Sequence, residues 1–478
     1  MKRAAARAPE LKREYERLLG LVLTLCVLGA IWVYSASSSE QILKNGSNGT
    51  TFLVRYVMFA AVGFALLALF SRAGVAIVRR LTMPLLVVSI VLCMAVVLPG
   101  IGVQVNGANR WLGAGSFTFQ PSELVKFALV AFLALRMATR TTPMRTLGDL
   151  RIELVVIVVI VALVALVQRD LGTTIVIVGA AVCVLIMGGM PARFFLPIGV
   201  AGGFLLTVMV AMHPYRIARL ASFLAPGSDD AGTGYQALQG QLAIGTGGLD
   251  GTGLGTSVQK ADWLPEAHTD FILAVVGEEL GAIGIIMLLV LYGAIAYTGL
   301  KIADKTEGRY QKLMAVGITA VIITQAMLNV WVVLGIFPLT GVPLPFISYG
   351  GTSLAVLLGA VGLLLNIARG TPVLERGPAP LAAVDADPQP PRPRGRAPRP
   401  TPAPRRAPAP RKAPAPRPRR TPNVRPVPSL GLATARAEAE RLSRTSRSAG
   451  DDAQDVRDRS RRDGGARGAR AGGRRRAS

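Results

Sequence analysis

The apolar residues of this chain are gathered into runs of about 20, bounded by charged or Gly- and Pro-rich breaks, and a helix rising 1.5 Å per residue needs about that length to cross roughly 30 Å of hydrocarbon. Such runs lie near residues 18–37, 52–70, 81–99, 121–138, 152–168, 171–188, 194–212, 271–299, 313–335 and 346–368. A half-buried strand would alternate apolar and polar positions, whereas here the apolar positions are consecutive. The expected fold class is therefore an all-α integral membrane protein with about ten transmembrane helices. Composition agrees: 51% of the 478 residues are hydrophobic and 17% are charged, too apolar for a soluble chain of this length.

Basic residues in alternate short breaks set the expected orientation. One set holds Arg72, Arg79 and Arg80, then Arg136, Arg140, Arg145 and Arg151, then Arg193, then Lys301, Lys305, Arg309 and Lys312. The other holds Lys44, Arg55, Arg110 and Arg169, with nothing basic between Gly335 and Pro345. The first set is expected in the cytoplasm of the cell, and with ten spans both termini join it. The first apolar run is too long for a signal peptide and lacks a small-residue cleavage site, so the first helix is expected to be retained.

The net charge of +25 suggests nucleic acid at first sight, but it is unevenly spread. Residues 371–478 hold 26 Lys and Arg against 10 Asp and Glu, a net of +16 that leaves +9 for the rest. No nucleic-acid partner is expected. This Pro-, Ala- and Arg-rich tail cannot bury enough apolar surface to order itself, and a disordered cytoplasmic tail is expected there. It would be either a solvated strip beside anionic headgroups or a docking segment for a cytoplasmic protein. Cys26, Cys93 and Cys183 all fall inside apolar runs without CxxC spacing and read as small core residues. The expected division is thus an N-terminal cytoplasmic segment 1–17, a membrane domain 18–370 and the tail 371–478.

Within the membrane domain the longest polar segment, 213–270, follows the seventh span and is expected outside as a large extracellular loop. Its many glycines between Gly240 and Gly255 favour short re-entrant or surface helices joined by tight turns. Charged groups beside or inside apolar spans are costly, so each asks for a partner or a task. Glu123 and Lys126 are three apart and share a helix face, where they can neutralise each other and, compatibly with that, line a substrate cavity. Asp170, before the sixth span, reads as a helix N-cap; Asp270, before the eighth, reads equally as an N-cap or as a reactive carboxylate. His268 stands two residues away and could orient that carboxylate, but two histidines in the chain make a His-based metal site unsupported. No GxSxG, HExxH, P-loop or dinucleotide fingerprint is present.

Several longer stretches carry a resemblance. Asn106-Gly107-Ala108-Asn109-Arg110-Trp111-Leu112-Gly113 leads into Phe119-Gln120-Pro121-Ser122-Glu123, followed by Asp170-Leu171-Gly172-Thr173 and Tyr235-Gln236 with Gly245-Thr246-Gly247-Gly248-Leu249. Then come Leu264-Pro265-Glu266-Ala267-His268-Thr269-Asp270-Phe271 and Pro343-Leu344-Pro345-Phe346-Ile347-Ser348-Tyr349-Gly350-Gly351. In this order, across about 20–370, they resemble the SEDS family of bacterial cell-wall proteins, the FtsW and RodA group, and are most similar to its FtsW branch. Arg169 stands where the family usually has Pro, and the Pro/Arg tail is an accessory to the common pattern.

The resemblance implies a peptidoglycan glycosyltransferase of the plasma membrane that polymerises lipid II and releases undecaprenyl diphosphate. The stretch ending in Asp270-Phe271 favours the division septum over side-wall elongation. Asp270 matches the family's essential aspartate and would be the base, with Glu266 as the neighbour that raises its basicity. Arg110, Arg216, Arg219 and Lys260, all on the outer face by the expected topology, are the candidate diphosphate contacts, and Glu123, Lys126, His268 and Ser348 the further substrate-site residues. The resemblance also implies a divalent cation, Mg or Mn, whose ligands spacing does not name. Implied partners are a class B penicillin-binding protein, other divisome membrane proteins and a cytoplasmic division protein on the tail. A lipid II flippase and a divisome scaffold are the rival readings.

Overall fold

The computed structural model describes residues 2–370 apart from 46–47, 99–100, 106–107, 115–116, 212–213, 226–231 and 262. The expected tail, 371–478, lies outside the described residues. Among the described residues the chain is almost wholly helical: α1 Lys2–Asn45, α2 Thr51–Ala73, α3 Val75–Ala95, α4 Pro121–Thr139, α5 Arg151–Ala162, α6 Leu171–Met187, α7 Phe195–Ala211, α8 Pro214–Leu224, α9 Thr233–Gly247, α10 Ile272–Lys305, α11 Arg309–Val333 and α12 Thr352–Ala368. Each of the ten expected spans falls on one of these helices. Six segments are long and apolar enough to cross a bilayer by length and composition alone, and three more apolar helices are shorter. The remaining one, α4, carries Glu123, Lys126 and Arg136.

Burial shows which helices face lipid. α2 buries only Tyr56, Ala60, Gly63, Leu67 and Ser71, a stripe at helical spacing, and leaves Val54, Val57, Met58, Val62 and Leu69 exposed. So much apolar side chain on the outside is stable only where the surrounding solvent is itself apolar. By contrast α12 and most of α4 and α11 are buried, so Glu123 and Lys126 of α4 are enclosed by protein rather than lipid. This is a multi-pass membrane protein.

Close packing of α2 on α12 uses small residues, as expected where lipid gives apolar surfaces no reason to associate. A Cβ added at Gly362 would stand 2.6 Å from the Leu67 carbonyl oxygen, and one at Gly63 would stand 2.5 Å from Leu358 Cδ1.

Two features depart from a simple bundle. β1 Gly102–Val105, β2 Ala108–Ala114 and β3 Phe117–Phe119 form a three-stranded antiparallel sheet. The all-α expectation passed over it, although Asn106-Gly107 between alternating residues is a hairpin signal. The second feature is a break in α10 at Gly281, whose φ of 66° and ψ of −161° no helix accommodates. The segment after α9 fills that break: Thr252 and Gly253 N–H donate to the carbonyls of Glu278 and Glu279 at 2.9 and 3.0 Å. In return, Ala282 and Ile283 N–H donate to Gly248 and Leu249 at 2.9 and 3.3 Å. The glycine-rich stretch is thus the close-approach surface that the broken helix needs, with Gly247, Gly251 and Gly281 all too near backbone for a Cβ.

Gly362→Val should push α12 from α2 and cost about 1–3 kcal/mol by overpacking. Gly199→Val on α7, where nothing lies within 4 Å of the added Cβ, should leave the thermal midpoint in detergent unchanged.

Candidate functional site

The two aspartates that looked alike in sequence do different things. Asp170 is a true N-cap of α6: its Oδ1 accepts from Thr173 N at 3.0 Å, and its Oδ2 accepts from Thr173 Oγ1 at 2.9 Å and from Gln120 Nε2 at 3.1 Å. Asp270 caps nothing; the residue in the N-cap position of α10 is Phe271, with no side-chain capping bond. Its carboxylate takes one side-chain hydrogen bond, from Thr269 Oγ1 at 3.2 Å, and that hydroxyl is also 2.8 Å from Glu266 Oε2. Asp270 is half-buried. Burial, and next the negative charge of Glu266, push it from the ordinary carboxylate range up to about 7, with Arg219 pulling the other way.

The segment between α11 and α12 forms the opposite wall. Val342, Leu344, Phe346, Ile347 and Ser348 are buried although the backbone there is irregular, so its carbonyls need donors from elsewhere. They come from side chains of other helices. Arg219 Nη1 bonds Leu339 O at 3.0 Å, Asn329 Nδ2 bonds Val342 O at 2.8 Å and Gln325 Nε2 bonds Pro343 O at 3.0 Å. Tyr292 and Tyr56 hydroxyls bond Pro345 O and Phe346 O, each at 2.5 Å. Asn329 Nδ2 also reaches the Asp270 carbonyl at 2.7 Å, and Tyr349 N donates to His268 O at 3.0 Å, so this wall and the Asp270 loop are one unit. The expected tenth span, 346–368, is shorter than read: its first six residues belong to this wall, and the helix begins at Thr352.

The other expected site residues are distributed as follows. Ser348 is inside the wall, its hydroxyl accepting from Leu344 N at 2.8 Å. His268 is buried with its ring 4.0 Å from that of Phe52 and 6.0 Å from that of Tyr349. Glu266 is exposed. Arg219 lies on α8 close enough to act on Asp270, while the side chain of Arg216 falls outside the described residues. Lys260 is not open to a phosphate: it is 5% exposed and its ammonium is taken by Glu279 Oε1 at 2.9 Å and Ser35 Oγ at 3.0 Å. Glu123 and Lys126 form a buried ion pair at 2.8 Å, closed by Gln325 Oε1 on the ammonium and Ser353 Oγ on the carboxylate, both at 2.8 Å. That arrangement ties α4, α11 and α12 together.

Arg110, on β2, also works on backbone: Nε donates to Gln168 O at 3.1 Å and Nη2 to Arg169 O at 2.7 Å. It thereby holds the turn that presents Asp170. Sequence reasoning passed over Asn329, Gln325, Tyr56 and Tyr292; the available signal was polar or hydroxyl side chains at positions that an apolar span would fill with Leu or Val.

Among the described residues three non-glycine residues have positive φ: Arg169 at 57°, Glu266 at 56° and Phe346 at 65°. Each adjoins one of the three loops just described, and such conformations persist only where surrounding bonds over-determine them. They also explain the departure at Arg169, since a proline there would be fixed near −65° and the present turn could not form. Arg169→Pro should lower stability by more than about 1 kcal/mol whereas Arg169→Gly should be tolerated, as thermal midpoints in detergent would register.

Residues 16–372 match the family model for FtsW, RodA and SpoVE, described as cell cycle proteins. The chain is 38% identical over 381 residues to a probable peptidoglycan glycosyltransferase FtsW of Trichlorobacter lovleyi, covering 80% of this chain and 98% of that one. It is also 38% identical over 362 residues to the stage V sporulation protein E of Bacillus subtilis, covering 75% and 98%. Among solved structures it superposes, with a TM-score of 0.61 and 28% identity, on a chain from work on the structural coordination of polymerization and crosslinking by a peptidoglycan synthase complex; the match covers 74% of this chain and 96% of that one. With the rod shape determining protein RodA of Thermus thermophilus the TM-score is 0.55 at 28% identity, over 74% and 95%. The chain belongs to the FtsW, RodA and SpoVE family of membrane proteins.

Proposed function

We propose that this protein is a peptidoglycan glycosyltransferase of the plasma membrane, polymerising lipid II at the division septum with Asp270 as general base. The single observation that carries the base assignment is a half-buried carboxylate, unspent on capping, pushed up to about 7 by burial and by Glu266. A base poised near the working pH is partly deprotonated yet basic enough to accept a hydroxyl proton. In the reaction the GlcNAc 4-hydroxyl oxygen of one lipid II bonds the anomeric carbon of the MurNAc that ends the other chain. The bond from that carbon to the undecaprenyl diphosphate oxygen breaks, and the hydroxyl proton passes to Asp270. Arg219, whose charge already acts on Asp270, is the basic group assigned to the departing diphosphate. Both termini would then be cytoplasmic and the 213–270 segment extracellular.

No group of three or more His, Cys, Asp and Glu suited to a metal ion occurs among the described residues. The implied Mg or Mn ion would therefore be held without a dedicated cage among the described residues, by one or two carboxylates together with the substrate diphosphate. A class B penicillin-binding protein, which would crosslink the new glycan, is the partner that fits this reading, along with other divisome membrane proteins. The flippase reading has less support, because the buried Glu123–Lys126 pair is closed by Gln325 and Ser353 and so acts as a strut.

Purified protein given labelled lipid II, with its class B penicillin-binding protein, should form polymer, and Asp270→Asn should cut the rate by about 10²–10⁴-fold while remaining folded. Undiminished polymer from that variant would remove Asp270 from the mechanism; lipid II crossing liposomes without polymer would favour transport. Because the base acts deprotonated, the rate should rise with pH through about 7 and then level. Glu266→Gln removes the like charge and should move that midpoint to lower pH.

A further inference from the structure

The stretch from Lys260 to Glu279 is a loop closed on itself. Lys260 lies ten residues before Asp270 and Glu279 nine after it, and their side chains meet in an ion pair of 2.9 Å that is almost fully buried. Ser35 of α1 donates to the same Glu279 oxygen at 2.6 Å and accepts from the Lys260 ammonium at 3.0 Å. Glu279 Oε2 is buried without a partner among the described residues, so Lys260 and Ser35 are the whole of its side-chain restraint. One residue earlier, Glu278 accepts from Val258 N at 2.9 Å and from the Ser257 hydroxyl, while its carbonyl and that of Glu279 are taken by Thr252 and Gly253. Residues 272–280, the short half of α10 before the break at Gly281, are therefore held from outside the helix at their far end, with Asp270 at their near end.

We propose that Lys260, Glu279 and Ser35 form a clasp that positions Asp270, coupling α1 to the loop that carries the base. The half-helix lacks a continuous ladder into the rest of α10, because Gly281 interrupts it, so with Asn329 holding the Asp270 carbonyl at the near end its direction is set by what grips residues 278 and 279 at the far end. Apolar packing of Leu273, Val275 and Val276 fixes how deep it sits but is non-directional, whereas an ion pair and two hydroxyl bonds define an orientation. These are positioning residues: none is placed to touch substrate. The inference rests on the base assignment above, and its test separates the two.

The discriminating variant is Lys260→Met/Glu279→Met, since replacing a buried ion pair by apolar side chains of similar size commonly preserves stability. In the full chain it should keep its thermal midpoint and its KM for lipid II, yet lose kcat by about 10²-fold, the scale of a 1 Å misplacement. Lys260→Arg alone, which keeps the charge opposite Glu279, should retain most of the rate. An activity-independent measurement uses a background free of native cysteines carrying Asp270→Cys, and follows its reaction with a membrane-impermeant maleimide. Adding the double methionine change should raise the labelling rate severalfold. Were the double variant to unfold, Ser35→Ala, which leaves the ion pair in place, must raise labelling in the same direction. Parental labelling in a folded clasp variant overturns the clasp, even if Asp270→Asn abolishes polymer; absent polymer from the parent protein would count against the glycosyltransferase reading while labelling still decides the clasp.

Discussion

Backbone that leaves a helix inside this bundle has no water to turn to, and the rest of the site follows from how that demand is met. The wall between α11 and α12 has side-chain donors on the carbonyls of residues 339, 342, 343, 345 and 346, drawn from α2, α8, α10 and α11. An unpaired group of this kind costs several kcal/mol in a hydrocarbon setting, so irregular backbone at this depth exists only where such donors converge. The close approach has its own requirement: a methyl at Gly29 of α1 would meet both Phe346 O and Tyr56 Oη at 2.5 Å. The broken α10 solves the same problem with backbone, its open positions being filled by residues 248–253.

The ionisable groups inside the protein sort by the same logic. Glu123 has Lys126 and Ser353, Glu153 has Arg136 at 3.0 Å, Glu279 has Lys260 and Ser35, and Asp170 has Thr173 and Gln120. A buried pair of this sort is weak evidence of stability but strongly couples the elements it joins, because removing one partner strands the other. Asp270 is the exception: it faces another carboxylate residue, its one side-chain donor is a hydroxyl shared with Glu266, and its proton affinity is raised rather than lowered. A carboxylate held near a like charge, and not committed to a cation or a helix terminus, is the one with capacity left for a substrate proton.

Opposite ends of the helices are also chemically distinct. Away from the site, Arg369 donates to Ser71 O at 3.1 Å and to Tyr15 Oη at 2.9 Å, and Lys305 reaches Glu14 at 3.3 Å, so the first, second, tenth and last helices meet through basic side chains. At the site end the arginines spend themselves on carbonyls: Arg110 on residues 168 and 169, Arg219 on residue 339.

What the amino-acid order determined by itself was whatever depends on local composition: the helical membrane class, the positions of ten apolar segments, the capping of α6 by Asp170 and the face shared by Glu123 and Lys126. Those follow from helix period, hydrocarbon thickness and short-range hydrogen bonding, which act over a few residues. It also placed the motifs around Asp270 and Ser348, but not what each side chain there does. Only the tertiary structure decided that Lys260 is closed in an ion pair nineteen residues away, that Arg110 serves a turn, that α10 is broken at Gly281, and that Asp270, unlike Asp170, caps no helix. Each of those outcomes depends on which distant group arrives as a partner, and on how much water it displaces, and neither quantity is encoded in spacing along one segment.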